Sequence, residues 1–270
     1  LVLSIANAYQ SEAVNGIAYY LSTTVRENPN ICSLALDDTY GDETELGIDF
    51  ATSKYDVKYA SKQKFTTGSS VSSQVDALVA DKCNVVAGTA VDIKTVLEAF
   101  ASKASDIDVI GLAPSWIPQV DLNLTQASKE FATKHFYVVS TGAKWGNTAV
   151  PGMAKMIDAI ENFRPNQTSN PFFMYGYVQA WAMDQVLEVA LSNGDLSPKG
   201  VTKALSNIDT FDFEGLMPSY KYGPNTDTRV VPDQNTIYKY TTDDPSKLVP
   251  VNDEAIDYAS EFTSQYEYKK

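Results

Sequence analysis

Few side chains in this sequence could carry chemistry. Its 270 residues include one histidine, His135, and two cysteines, Cys32 and Cys83. A single imidazole rules out clustered histidine metal sites and permits one Ser-His-Asp triad at most. No G-x-S-x-G elbow is present, and His135 immediately precedes a predicted strand, Phe136-Tyr137-Val138-Val139. Catalytic groups of open α/β sheets lie at the carboxyl ends of strands, so His135 reads as structural or exposed. No catalytic residue is assigned, and an α/β hydrolase is the weakest alternative. The cysteines lack C-x-x-C spacing, which excludes zinc-ribbon and thioredoxin-type motifs and leaves buried thiols and a cross-link both open. Asp37, Asp38, Asp42, Glu43 and Glu45 form an acidic group beside a predicted helix start. Charges there complement the helix dipole, a simpler reading than a divalent metal. Neither a metal nor a cofactor is expected.

These side chains depend on the elements that hold them. Ala13, Ile17, Tyr20 and Leu21 recur at helical spacing, and Ile31-Cys32-Ser33-Leu34-Ala35-Leu36 reads as a buried strand. A polar turn from Asp37 to Asp42 leads into a helix carrying Leu46 and Phe50. Tyr55 to Ala60 alternates like a strand. Ser69 or Ser70 can cap a helix whose core stripe is Val71, Val75, Leu78 and Val79. The pattern then repeats: a strand at Asn84 to Gly88, a helix capped by Asp92, a strand at Ile107 to Leu112, and the strand after His135. The opening Leu1-Val2-Leu3-Ser4-Ile5-Ala6 also reads as a strand, because no basic region precedes it as in a signal peptide. Strands alternating with helices of this length make a parallel sheet with helices on both faces. Ligands bind beyond the carboxyl ends of such strands, here Asp37 to Tyr40, Gly88 to Ala90, Ala113 to Trp116, and Ser140 to Trp145.

The second half changes character. Pro151 opens a helix with Met153, Met156, Ile157 and Ile160, Tyr175 to Leu191 forms a longer apolar one, and Ser197-Pro198 starts a third. Turn-rich, β-like stretches follow, ending in Thr236-Ile237-Tyr238-Lys239-Tyr240. These helices need a sheet to cover, and this half supplies few strands. The expectation is that sequence before residue 1 provides it.

Composition narrows the function classes. Acidic residues outnumber basic ones 34 to 21, for a net charge of −13. That balance argues against nucleic acid, which needs a basic footprint, and against a polybasic membrane surface. With 44% hydrophobic residues the chain can bury a real core, and its length favours two lobes. No window approaches about 18 consecutive apolar residues, so no transmembrane span is expected. Asn123-Leu124-Thr125 and Asn166-Gln167-Thr168 match the N-glycosylation pattern, which also arises by chance.

Four segments in order carry a family resemblance. They are Leu36-Asp37-Asp38-Thr39-Tyr40-Gly41, Phe65 to Val75, Gly111-Leu112-Ala113-Pro114-Ser115-Trp116, and Tyr175-Gly176-Tyr177-Val178-Gln179-Ala180. Together they resemble the type I periplasmic binding proteins of branched-chain amino-acid ABC transporters, the Leu/Ile/Val-binding family. The resemblance implies an α/β fold of two flavodoxin/Rossmann-like lobes joined by a hinge, the second lobe only partly present. Residues 1–140 would be the complete lobe, 141–240 the partial second lobe, and 241–270 a return segment and helix. It also implies a non-enzymatic, extracytoplasmic, monomeric protein that captures a small polar ligand between its lobes and serves an ABC permease. A sensor domain of the same fold is the alternative. In a flavodoxin-like strand order the first and third strands are neighbours, which places Cys32 beside Cys83 and predicts a disulfide in an oxidising compartment.

The implied ligand-binding residues lie at the strand ends. Tyr40 can cover an apolar ligand stem while its hydroxyl meets a polar group, or it can buttress the turn. Gly88 lets the backbone of Thr89 and Ala90 approach a ligand, or is an ordinary connection glycine. Ser115 and Trp116 sit on a loop stiffened by Pro114 and Pro118. Trp116 can stack on a ligand or pack beneath the loop. Trp145 can line the cleft or wedge the hinge. In the family's amino-acid binders a carboxylate on the loop matching 112–116 pairs with the ligand ammonium, and this loop has none. Either Asp92 or Asp38 substitutes, or the ligand is not an amino acid; the extra aromatic on the loop favours an aromatic or less polar ligand.

Overall fold

A computed structural model of the chain describes residues 4–23, 26–89, 93–103, 106–167, 170–222, 231–252 and 254–260. The chain divides into two compact units. The larger comprises Tyr9–Ser140 and Gln234–Lys270, and the smaller comprises Leu1–Ala8 and Thr141–Asp233.

The larger unit is a seven-stranded sheet with helices on both faces. Its first five strands are β1 (Asn30–Leu36), β2 (Lys58–Phe65), β3 (Val85–Thr89), β4 (Asp108–Gly111) and β5 (Phe136–Ser140). They run parallel in the order β2-β1-β3-β4-β5. Helices α1 (Tyr9–Thr23), α2 (Thr39–Lys54), α3 (Ser72–Ala80), α4 (Ile93–Lys103) and α5 (Gln126–His135) alternate with them. The period-two alternation of β1 decides which side each residue serves. Cys32, Leu34 and Leu36 join one core with Val75, Leu78, Val96, Leu97 and Phe100. Ile31 joins the other, with Val14 and Ile17 of α1 and Ile48 and Ala51 of α2. Gly47 allows α1 and α2 to close on each other: a Cβ there would lie 2.5 Å from the Gln10 carbonyl oxygen.

The smaller unit holds α6 (Pro151–Phe163), α7 (Pro171–Ser192), α8 (Pro198–Leu205) and the short antiparallel pair β6 (Thr210–Phe211) and β7 (Tyr220–Lys221). Met174, Val178, Ala182, Val186 and Ala190 recur every four residues along α7 and form its buried stripe. They pack with Met153, Met156, Phe211, Phe213 and Leu216. Ser197 caps α8, accepting a bond from the Gly200 amide at 3.2 Å, as its Ser-Pro start suggested.

Several expectations shift in position. Ser4 to Ala8 contain no strand, and residues 1–3 lie outside the described residues. Ile5 instead inserts into the smaller unit's core, and the Ser4 carbonyl accepts from the Tyr220 hydroxyl, a side-chain partner in place of a ladder. The strand expected from Tyr55 begins at Lys58, because α2 runs to Lys54 and Asp56 turns the chain with φ 51°. The helix expected after Ser69 or Ser70 starts at Ser72, and Ser70 accepts a 3.3 Å bond from the Ser72 amide.

Residues 234–260 return to the larger unit, where β8 (Thr236–Tyr240) pairs antiparallel with β5 and β9 (Leu248–Pro250) with β8. The lobe expected at 1–140 thus differs at both ends: it lacks residues 1–8 and includes Gln234–Lys270. Tyr238 and Tyr240 seal one core and Ile237 the other, so alternation within β8 binds it to both faces of the sheet.

Candidate ligand-binding site

The carboxyl ends of β1 and β4 and the first turns of α1 and α2 converge within the larger unit. After β1, Asp38 caps α2 by accepting the Gly41 amide at 3.0 Å. This places Tyr40 in the first turn, with its ring centroid 4.2 Å from that of Tyr9 at 64°. Beyond β4, Leu112 leads into a short 3₁₀ turn, Ala113–Ser115, closed by the Ser115 amide donating to Leu112 O at 2.8 Å. Gly111 leaves room for this turn, since a Cβ there would meet the Ser115 Cβ at 2.8 Å.

A carboxylate does reach this loop, from a residue the sequence reading did not select. Glu12 of α1 is 2% exposed, and its Oε2 accepts from the Ala113 amide at 3.0 Å. Burial pushes the Tyr40 hydroxyl pKa well above its ordinary value. Glu12 adds to that shift, followed by Tyr9 and Asp38, while a hydrogen bond with Ser115 opposes it. Tyr9 is raised by burial first, then by Glu12, Glu43 and Asp38. Glu12, Glu43 and Asp38 thus hold this aromatic pair in its neutral form. The signal for Glu12 was an acid in the first turn of a helix otherwise buried nearly all round. Its burial could be known only once α1 was placed.

The other candidates divide. Ser115 is 1% exposed and joins Tyr40. Trp116 is 2% exposed, with its ring centroid 5.9 Å from Phe136 and 5.3 Å from Tyr240, which places it in the core beneath the loop. Gly88 has φ 92°, and a Cβ would lie 2.8 Å from Thr44 Cγ2. Its glycine identity is accounted for by backbone conformation and by the approach of α2. Thr89 ends β3 opposite Gly111, while Ala90 and the alternative acid Asp92 lie outside the described residues. Trp145 belongs to the smaller unit, where its ring packs 6.3 Å from Phe173.

Cys32 and Cys83 form the expected disulfide, with Cα atoms 5.9 Å apart. His135 sits at the amino end of the sheet, its Nδ1 2.8 Å from Asp108 Oδ1. The Tyr20 hydroxyl donates to Asp108 Oδ2, as do Arg26 Nη2 at 2.9 Å and Nε at 3.2 Å. Four hydrogen bonds, two of them from the Arg26 guanidinium, thus satisfy one buried carboxylate, which gives His135 a structural place. In the acidic group, Asp42 and Glu45 share Lys64 at 2.8 and 3.4 Å. No metal-ligating cluster occurs among the described residues.

The family profile for periplasmic binding proteins matches residues 2–239. The chain belongs to the periplasmic binding protein family. Solved structures agree on the type I fold of this family. A fatty acid ABC transporter substrate-binding protein from Thermomonospora curvata superposes with TM-score 0.78 at 19% identity, covering 97% of this chain and 65% of that one. A branched-chain amino acid ABC transporter structure from Thermus thermophilus, with bound valine, gives 0.78 at 12% identity, covering 97% and 68%. An ABC transporter substrate-binding protein from Aeropyrum pernix gives 0.79 at 14% identity, covering 98% and 69%. This periplasmic binding protein chain therefore spans roughly two thirds of the length of the structures it matches. No curated protein matches it. Family membership implies an extracytoplasmic location, and among the described residues no helix is long and apolar enough to cross a membrane.

Proposed function

We propose that this chain belongs to the solute-binding protein of an ABC importer, and that it captures a small ligand bearing an ammonium group, without catalysis. The carrying observation is the buried Glu12 carboxylate against the Tyr9–Tyr40 pair. A ligand ammonium set beside the buried Glu12 carboxylate would gain a charge-assisted hydrogen bond, about twice as strong as a neutral one. Tyrosine faces add attraction for a cation. Glu12 thus takes the part expected of a loop acid, reaching the 112–116 loop from α1.

This arrangement favours an amino acid over a ligand whose only charge is a carboxylate. The Thermus thermophilus structure holds valine, and the Thermomonospora curvata protein is named for fatty acids. A branched-chain amino acid fits an anionic, aromatic edge; a fatty acid or aromatic acid would place like charges together. Tyr40 and Ser115 would orient the ligand, with the Thr89 backbone beside them, and delivery would be to a membrane permease.

Calorimetry on the full-length protein with valine, leucine and isoleucine, beside the matching 2-keto acids and a fatty acid, tests this reading. Binding of the amino acids and not of their keto analogues is expected. Tight binding of a fatty or aromatic acid, with none of the amines, would overturn it.

A further inference from the structure

A tyrosine followed three residues later by a glutamate opens both of the helices that meet at the candidate site. On α1 the pair is Tyr9 and Glu12, and on α2 it is Tyr40 and Glu43. Residues three apart share a helix face, so each acid lies on the side of its own tyrosine. The two rings meet between the helices, with centroids 4.2 Å apart. Glu12 is buried against the 112–116 loop, whereas Glu43 is partly exposed. Both act on the Tyr9 hydroxyl, whose pKa is raised first by burial, then by Glu12 and then by Glu43.

Glu43 differs from the other acids of α2. Asp42 and Glu45 pair with Lys64 at 2.8 and 3.4 Å, and Asp49 pairs with Lys62 at 2.7 Å. Both lysines belong to β2. Among the described residues Glu43 has neither an ion pair nor a side-chain hydrogen bond. The helix start does not require its charge, because Asp38 accepts the Gly41 amide at 3.0 Å and Asp42 already stands in the first turn. Water can satisfy a partly exposed carboxylate. What marks this one is its direction, toward Tyr9 and away from the β2 lysines.

We infer that Glu43 is a specificity-determining residue that favours an amino acid with a cationic side chain, lysine being the simplest. The inference rests on the ammonium reading of Glu12. The α-ammonium meets Glu12, the methylene stem covers the Tyr9–Tyr40 pair, and the distal cation faces Glu43. Tyrosine suits both parts of such a ligand, giving apolar cover to methylenes and a negative ring face to a cation. A branched-chain side chain uses the aromatic cover and leaves Glu43 to water.

Calorimetry on the full-length protein with L-lysine and L-norleucine tests this, because norleucine keeps the straight aliphatic stem and lacks the distal ammonium. Lysine is expected to bind roughly 2–5-fold more tightly than norleucine, the range of a partly exposed ion pair. The margin should narrow at high salt. Glu43→Gln is expected to bring lysine to the norleucine affinity and leave norleucine binding unchanged, which also shows that the variant is folded. Asp42→Asn alters an acid already paired with Lys64 and is expected to keep the preference for lysine. Norleucine binding as tightly as lysine, a preference that survives Glu43→Gln, or an equal loss in Asp42→Asn overturns the role of Glu43 and leaves the Glu12 site standing. No binding of lysine, norleucine or valine overturns the ammonium reading, and this inference with it.

Discussion

Glu12→Gln separates charge from shape at the proposed site. The glutamine carbonyl can still accept from the Ala113 amide, so the loop keeps its anchor while the negative charge is lost. A charged hydrogen bond is worth about 1.5–3 kcal/mol, which predicts roughly a 10–100-fold weaker affinity for an amino-acid ligand by calorimetry. An uncharged ligand of the same shape should not discriminate between the two proteins. Tyrosines make a second prediction at this scale. Burial raises the pKa of Tyr20, Tyr40, Tyr59, Tyr220 and Tyr240, and carries Tyr238 to about 12. Unfolded phenols ionise near 10.0, so above that pH the folded chain holds more protons than the unfolded one. Stability is then expected to be fully present below pH 10.0 and to fall as pH rises beyond it. Denaturant midpoints followed with phenolate absorbance check this. A midpoint that stays constant through that range would contradict it.

Among the elements, β1 and β3 are tied twice, by their parallel ladder and by Cys32–Cys83. The cysteines are 51 residues apart in sequence. Closing a loop of that length restricts the unfolded chain by about 4 kcal/mol. Replacing both cysteines with alanine should lower unfolding stability by that order, read from denaturant midpoints, and a negligible change would reject the loop-entropy account. Gly88→Ala should cost about 1–3 kcal/mol, from left-handed backbone strain plus contact with Thr44. Adding Thr44→Ser removes the methyl that the new Cβ would meet and should recover only the steric share. Full recovery would show that the φ of 92° costs nothing.

For the whole molecule, the proposed function predicts stabilisation by ligand. The correct amino acid at 100 times its Kd should add about 2.7 kcal/mol of stability, visible as a rise in Tm. That experiment belongs to the full-length protein, because this chain covers 65% to 69% of the three solved structures described above.

Elements whose signal is local were legible from the sequence. A short continuous apolar run marked β1, and period 3.6 marked α4 and α6, because these signals are complete within a few residues. The Cys32–Cys83 pairing followed from the flavodoxin-like strand order that the family resemblance implied, which sets β1 beside β3. Other decisions needed the tertiary structure. Trp116 sits on a loop in sequence, yet Phe136 and Tyr240 enclose it. The residues after Gln234 cross back to pair with β5, a choice no local pattern encodes. Glu12 meets Ala113 across 101 positions, so its burial and charge environment arise only when α1 packs against the sheet. Periodicity thus determined which segments form helices and strands, and long-range packing decided which carboxylate stands at the proposed site.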